Sequence, residues 1–167
     1  MPALPIRKFP DPVLKQPTRL VAKIDGEVTR LIDAMIRTMR HHPRCVGLAA
    51  PQVGSSLRIA VMDASSHPKT TTNHGLLVLV NPSIDSGDGA VIQREGCLSI
   101  PDLTANVRRA AQVHLMAFDR SGSVREWWLE GFEAIVAQHE VDHLDGKLFL
   151  DRVANLKTDV FRRKTYL

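Results

Sequence analysis

The sequence QHEVDH at residues 138–143 constrains this chain more than any other stretch. It places His139 and His143 four residues apart, so on a helix both imidazoles point the same way, about one turn apart. That geometry lets both rings reach one metal ion, with Glu140 beside a water molecule that the metal activates. Three such polar side chains on one face are unusual in a plain core, because buried polar groups need partners. The motif therefore predicts a metal-dependent hydrolase.

An apolar stripe predicts the helix that carries this motif, over about residues 132–144. The stripe recurs at helical spacing, which puts the motif on a buried face, and it comprises Phe132, Ile135, Val136, His139, Glu140, His143 and Leu144. The other side chains of the segment are predicted to lie off this face, namely Glu133, Ala134, Ala137, Gln138 and Asp142. Gly146 follows where a helix-ending glycine is expected.

Length and composition indicate an ordinary globular protein. A chain of 167 residues predicts one domain, and it contains neither an apolar run long enough to span a bilayer nor a secretory signal. The two cysteines do not form a disulfide framework, so a reducing cytosol is the simplest compartment. The net charge of +4 permits an anionic partner without demanding one. We expect a monomer with no membrane contact and no specific DNA target.

The remaining patterns predict an α+β fold with mostly antiparallel sheets packed around the C-terminal helix. A first amphipathic helix is predicted over residues 27–41, with Asp25 as its N-cap. Strands are predicted over residues 57–62, 76–80, 113–118, 124–129 and 148–150. Non-strand segments are predicted at Asn81–Pro82, at 85–90 and 119–122 (turns), and at 158–166 (a basic helix or tail).

A catalytic site of the zinc type needs a third protein ligand. The extension HExxHxxGxxH fails because its ligand position holds Phe149, and no glutamate follows Glu140. The third ligand is therefore expected upstream, and Cys97 is the best candidate, because a thiolate binds soft and borderline metals. Cys97 as a small buried apolar residue remains the alternative. The rival ligands are His67, His74 and His114.

Three segments resemble the signature motifs of the peptide deformylases: GLAAPQ at 47–52, EGCLS at 95–99 and QHEVDH at 138–143. They occur in the family's order, and the resemblance covers about residues 10–152. It implies one catalytic domain over residues 1–167 that removes the N-formyl group from the formylmethionine of newly made polypeptides and releases formate. It also implies a bacterial cytoplasmic enzyme, or the mature form of an organellar one.

The resemblance implies a site built around one divalent metal ion held by Cys97, His139 and His143. Fe²⁺ is the ion expected physiologically, while Zn²⁺, Ni²⁺ or Co²⁺ can occupy the site in purified protein. Glu140 is expected to act as general base and then as general acid. The oxyanion is expected to be stabilised by the Gln52 side chain and the Leu98 backbone N–H.

The substrate peptide is expected to lie extended, like a strand, against Val46, Gly47 and Gly96. The helix stripe offers an apolar pocket for the methionine side chain, lined by Phe132, Ile135 and Val136.

Two positions depart from the family's pattern. Arg108 replaces the usual proline, and Thr104 stands where many members carry a basic residue near the site entrance. We also expect Glu95 to pair with Arg109. The basic tail could meet RNA phosphates in a transient ribosome contact, and its charges are Arg162, Arg163 and Lys164.

Three other functions remain open from the sequence. The first is a small metalloendopeptidase, against which the cysteine ligand and the absent downstream ligand argue. The second is a non-enzymatic domain with a structural metal, which would need four protein ligands. The third is a deformylase-like enzyme with another acyl specificity, which the departure at Thr104 allows.

Overall fold

The computed structural model describes residues 2–164, which form two α-helices and eight strands. The helices are α1 (Gly26–His41) and α2 (Gly131–Leu144). The strands are β1 (Gly47–Ala49), β2 (Ile59–Met62), β3 (Leu77–Asp88), β4 (Val91–Cys97), β5 (Ile100–Arg109), β6 (Gln112–Phe118), β7 (Val124–Glu130) and β8 (Val160–Arg162). Short 3₁₀ helices cover Pro12–Lys15, Ala50–Val53 and Phe149–Arg152. No helix in residues 2–164 is long and apolar enough to cross a membrane.

The strands form two separate sheets in which every pairing is antiparallel. One sheet has the order β1-β2-β3-β6-β7, and the other has the order β4-β5-β8. Strands β1 and β4 therefore each lie at the edge of a sheet. The predicted α+β class, with antiparallel sheets around a C-terminal helix, is confirmed.

Helix α1 begins and packs as its sequence predicts. The Asp25 carboxylate accepts hydrogen bonds from the backbone N–H groups of Glu27 and Val28, so it caps the free donors of the first turn. The buried stripe of the helix packs against β2 and consists of Val28, Ile32, Met35, Ile36 and Met39.

Helix α2 is buried on more sides than the stripe predicts. Ala134, Ala137 and Val141 pack in one cluster with residues of the five-stranded sheet. On another side, Asp142 is buried against Arg109 of the three-stranded sheet. The prediction that Glu133, Ala134, Ala137 and Asp142 lie off the buried face is wrong, because α2 has a sheet on both sides.

Strand β3 continues through residues predicted to end it. The predicted strand end at Asn81–Pro82 is wrong, because the chain keeps pairing with β6 as far as Asp88 through two register shifts. The predicted turn at 85–90 is therefore wrong for residues 85–88. Asn81 takes a positive φ of 52° there, and its side chain bonds the backbone N–H and C=O of Val21. A bulge lets the ladder tolerate Pro82, which has no N–H to donate.

The C-terminal region differs from its prediction in two places. The segment predicted as a strand at 148–150 belongs mainly to the 3₁₀ helix Phe149–Arg152. The segment predicted as a helix or tail at 158–166 contains strand β8, which pairs with β5. Residues 165 and 166 of that prediction lie outside the described residues. Strands β1, β4 and β5 carry no prediction from the sequence.

Candidate active site

Three potential metal ligands converge between α2 and the end of β4. The ligand atoms of Cys97, His139 and His143 all lie within 4.8 Å of one another, and Cys97 Sγ is 3.3 Å from His143 Nε2. A tetrahedral site with bonds of about 2.0–2.3 Å separates its ligand atoms by roughly 3.3–3.8 Å. The three side chains therefore fit a divalent metal with nitrogen and sulfur ligands.

The rival histidines lie elsewhere. His74 bonds Glu133, and His114 bonds Asp85. His67 stacks on the Phe132 ring, with 4.2 Å between centroids. None of these three belongs to the Cys97 cluster, and residues 2–164 offer no fourth ligand within it.

A chain of charged side chains orients His139. Its Nδ1 donates to Glu95 Oε1 at 2.8 Å, which leaves Nε2 to face Cys97. Arg109 binds Glu95 with two hydrogen bonds of 2.7 and 2.9 Å, so the predicted Glu95–Arg109 pair is confirmed. Arg109 also reaches Asp142, which in turn accepts from Arg152. The network ties β4, β5, α2 and the 3₁₀ helix after it to one ligand.

The charges of this cluster favour metal binding. Burial alone would raise the pKa of the Cys97 thiol, but the adjacent His143 and His139 imidazoles outweigh it and hold that pKa well below its usual range. Burial would likewise raise the pKa of Glu95, while Arg109 and His139 bring it down to about 2. A thiolate and an ionised carboxylate are the forms that a ligand and its supporting partner need.

Glu140 lies beside the cluster with part of its carboxylate free. The residue is 4% exposed, and its Oε2 has no hydrogen-bond partner among the described residues. Burial raises its pKa, which suits a group that takes up and then releases a proton. A Cβ added to Gly47 would meet Glu140 Cδ at 2.8 Å, so β1 approaches the carboxylate closely only because residue 47 is glycine.

Gln52 presents its amide N–H₂ group to the cluster. The Ala49 backbone N–H donates to Gln52 Oε1 at 3.0 Å, which fixes which end of the amide points inward. The Nε2 atom then lies 3.2 Å from Ser99 Oγ and 3.4 Å from Cys97 Sγ. The long contact to sulfur leaves this donor available to a better acceptor.

One cavity of about 370 Å³ joins these parts. The structure places every predicted catalytic and substrate-binding residue on its wall: Val46, Gly47, Gln52, Gly96, Leu98, Phe132, Ile135, Val136 and Glu140. Cys97 and His139 also line it, while His143 completes the ligand triangle without lining the cavity.

The wall also includes residues that the sequence does not predict to bind substrate or metal or to take part in catalysis. These are Pro43, Arg44, Cys45, His67, Lys69, Arg94, Arg163 and Lys164. Most lie on connections or just after β8, where no local pattern indicates a site. Cys45 remains a free thiol, since burial raises its pKa to about 12 and it donates to the Gly47 carbonyl.

Known proteins resemble this chain over almost its whole length. Residues 3–159 match the family model described as polypeptide deformylase. The peptide deformylase of Thermodesulfovibrio yellowstonii is 42% identical over 164 residues, 98% of this chain and 97% of that protein. The peptide deformylase of Dictyoglomus thermophilum is 45% identical over 158 residues, 92% of this chain and 96% of that protein.

Solved structures share the fold as well. The peptide deformylase from Thermotoga maritima has a TM-score of 0.84 at 38% identity, covering 93% of this chain and 100% of that one. A class I type b peptide deformylase from Acinetobacter baumannii, solved with Met-Ala-Ser bound, has a TM-score of 0.85 at 34% identity, covering 91% and 99%.

Proposed function

The chain belongs to the peptide deformylase family, and we propose that its Cys97–His139–His143 cluster is the metal centre at which deformylation takes place. The enzyme is a metal-dependent hydrolase that removes the N-formyl group from nascent polypeptides. The observation that carries the assignment of the site is the convergence of three ligands, a buried carboxylate and an oriented amide on one cavity.

The ligand set favours a first-row divalent ion. A bound metal of this kind polarises a carbonyl oxygen and makes a nucleophilic hydroxide available near neutral pH. One thiolate and two imidazoles accept Fe²⁺, Zn²⁺, Ni²⁺ or Co²⁺. We propose Fe²⁺ as the physiological ion, with the other three as substitutes in purified protein.

Glu140 is the general base and then the general acid of this proposal. Its unpartnered Oε2 is the atom that takes the proton from the attacking water. The same carboxylic acid then passes that proton to the departing amine, which restores the ionised carboxylate. A buried carboxyl with a raised pKa suits both steps, because it holds a proton near neutral pH more readily than an exposed one.

Gln52 and Leu98 are the oxyanion donors of this proposal. When the formyl carbon becomes tetrahedral, its oxygen gains negative charge, and a donor already aimed at that position stabilises it without reorganising. The Ala49 N–H holds the Gln52 amide in the required orientation. Leu98 follows Cys97 directly and lines the same cavity, which supports its backbone N–H as the second donor.

The substrate peptide lies between two sheet edges in this proposal. Gly47 is in edge strand β1, Gly96 is in edge strand β4, and both line the cavity. An extended peptide can pair its backbone with free strand edges. The methionine side chain then enters the apolar part of the wall formed by Phe132, Ile135 and Val136. The Acinetobacter baumannii relative, solved with Met-Ala-Ser bound, supports a short methionine-initiated peptide as the ligand.

We further propose that residues 1–167 form one catalytic domain that acts as a cytoplasmic monomer. Both sheets contribute to the same cavity, which supports a single domain. The exposed tail cations at Arg162, Arg163 and Lys164 support a transient ribosome contact. Co-sedimentation with ribosomes that does not weaken with rising salt would contradict that contact.

A substrate panel tests the reaction against the alternatives. Formate release is measured with formyl-Met-Ala-Ser, acetate release with its N-acetyl analogue, and peptide-bond cleavage with an unformylated peptide. We expect formate from the first peptide, little hydrolysis of the second and no peptide-bond cleavage in the third. Internal cleavage would indicate a metalloendopeptidase, and equal hydrolysis of the acetyl peptide would indicate another acyl specificity.

A further inference from the structure

The mouth of the active-site cavity carries positive charge from distant parts of the chain. The cationic residues that line it are Arg44, Lys69, Arg94, Arg163 and Lys164. Among the described residues, the acids that line it are Glu95 and Glu140, and both are buried. Glu95 is already paired with Arg109 and His139. The side chains that line the cavity therefore carry more positive than negative charge toward the incoming substrate.

Arg163 comes closest to the peptide path. A Cβ added to Gly96 would meet Arg163 Cζ at 3.2 Å, so the guanidinium lies directly over the backbone of Gly96. No carboxylate of residues 2–164 pairs with it. Gly96 directly precedes Cys97 in the chain. The Arg163 guanidinium therefore lies against a residue that adjoins a proposed metal ligand.

Strand β8 holds Arg163 in this place. The Arg163 backbone N–H donates to the Asp102 carbonyl at 2.9 Å, which extends the pairing of β8 with β5. Two residues earlier in that pairing, Thr104 faces Phe161, whose ring lies 3.7 Å below the Arg94 guanidinium. The backbone of Arg163 is therefore fixed by its hydrogen bond to β5, next to the paired strand β8.

An extended substrate would bring specific side chains to this charge. Side chains of a strand alternate between its two faces, and successive residues advance by about 3.3 Å. With the formyl group at the metal and the methionine side chain in its pocket, the second and third residues pass Gly96. One of them directs its side chain to the face where Arg163 lies.

We propose that Arg163 is a specificity-determining residue that binds a carboxylate on the second or third residue of the substrate. This inference rests on the proposed path of the peptide past Gly96. A guanidinium binds a carboxylate with two parallel hydrogen bonds, and Lys69 and Lys164 add to the attraction. The enzyme then deformylates chains that begin formyl-Met-Asp or formyl-Met-Xaa-Glu faster than their amide counterparts.

Of the tail cations proposed for the ribosome contact, Arg163 fits an RNA-facing role less well than Arg162. The Arg163 guanidinium lies against Gly96 on the wall of the substrate cavity. The neighbouring Arg162, the last residue of β8, is exposed and does not line the cavity, so it offers a matched control.

Matched peptide pairs test the proposal, with C-terminal amides that remove the chain-end charge. The pairs are formyl-Met-Asp-Ala-amide with its Asn analogue and formyl-Met-Ala-Glu-amide with its Gln analogue. We expect kcat/KM of the unaltered enzyme to favour the acidic member of one pair about fivefold at low salt, the upper end for a solvent-accessible ion pair. Added salt should reduce this ratio. Formyl-Met-Ala as free acid and as amide separates a chain-end carboxylate from a side-chain one.

The variants separate Arg163 from general charge. Arg163→Gln should bring the ratio close to one, Arg163→Lys should keep part of it, and Arg162→Gln should leave it unchanged. A ratio that is equal in the unaltered enzyme and Arg163→Gln would overturn the proposal, as would an equal fall in Arg162→Gln. Weaker ribosome co-sedimentation of Arg163→Gln with unchanged peptide ratios would overturn it in favour of RNA. Absence of turnover with every peptide would contradict the proposed function itself.

Discussion

Glu140 lies against a backbone that leaves it no spare room. Its carboxylate occupies the space where any side chain at residue 47 would begin. Strand β1 is at the edge of its sheet, so Gly47 serves both the acid beside it and the proposed peptide path. The sequence shows this glycine within GLAAPQ, but only the fold shows that its partner is a carboxylate 93 positions later.

Gly47→Ala should lower kcat by about 100-fold, because displacing a catalytic group by about 1 Å has a cost of that order. The metal content should stay unchanged, since neither Gly47 nor Glu140 is in the ligand cluster. Steady-state kinetics with a formyl-Met peptide and metal analysis of the same sample measure both. Gly26→Ala is the control, because its Cβ meets only the flexible Arg30 side chain at 3.2 Å. Equal activity in the two variants would contradict the proposed crowding.

Residue-scale prediction succeeds where the chemistry is local in sequence. The spacing of His139 and His143 requires one face of one helix, and α2 supplies it. The Glu95–Arg109 pair is expected from the family resemblance of residues 107–109, whereas its extension through Asp142 to Arg152 depends on how α2 packs. The placement of Arg163 over Gly96 depends on a pairing between β5 and β8 that no local pattern indicates.

Among the elements, α2 is fixed by polar contacts as much as by apolar packing. Arg109 of β5 is 5% exposed and joins Glu95 of β4 to Asp142 of α2. One turn earlier on the same face of the helix, the Gln138 amide both donates to and accepts from the Ala110 backbone. These contacts set the rotation of α2 and therefore the direction in which His139 and His143 point.

Arg109→Met should reduce the free energy of unfolding by about 3–5 kcal/mol, because it removes the arginine that binds buried Glu95 and one of the two that bind buried Asp142. Urea unfolding of the metal-free protein measures this loss without a contribution from metal binding. Arg108→Met is the matched control, since Arg108 is exposed and should change stability by no more than about 0.5 kcal/mol. A loss that is equally small in both variants would mean that the network does not stabilise the fold.

Prediction of the elements succeeds for those with strong local periodicity. Helices α1 and α2 and the β6–β7 hairpin follow from apolar spacing and turn residues. The sequence patterns do not predict strands β4 and β5, because polar residues such as Gln93 and Glu95 interrupt the apolar pattern. Glu95 instead serves the charged network around His139. Strand β3 passes Pro82 only because of bulges set by its neighbour.

At the scale of the whole molecule, the ligand cluster joins the two sheets. Cys97 ends β4 of the three-stranded sheet, while His139 and His143 lie on α2, which packs against the five-stranded sheet. A metal that binds only this arrangement adds its binding free energy to folding. The sequence predicts the ligands, but this coupling between sheets follows from the topology.

Removal of the metal should abolish deformylation and lower the apparent Tm by about 5–10 °C, the range expected when a ligand at about 100 times its Kd is withdrawn from a chain of this size. Thermal unfolding with and without a chelator, followed by readdition of Fe²⁺ or Ni²⁺, measures both effects. Cys97→Ala is the control, because a chain without the thiolate should show no further change with chelator. A drop of equal size in that variant would place the stabilising metal elsewhere.

In the proposed reaction, Glu140 moves the proton at a metal held by Cys97, His139 and His143. The most direct measurement is kcat for a formyl-Met peptide together with metal per chain, for the unaltered enzyme, Glu140→Gln and the control Glu130→Gln, whose side chain is exposed. We predict a fall of about 10²- to 10⁴-fold in kcat for Glu140→Gln, with unchanged metal content and an unaffected control. Full turnover by Glu140→Gln at full metal content, or loss of its metal, would contradict the account.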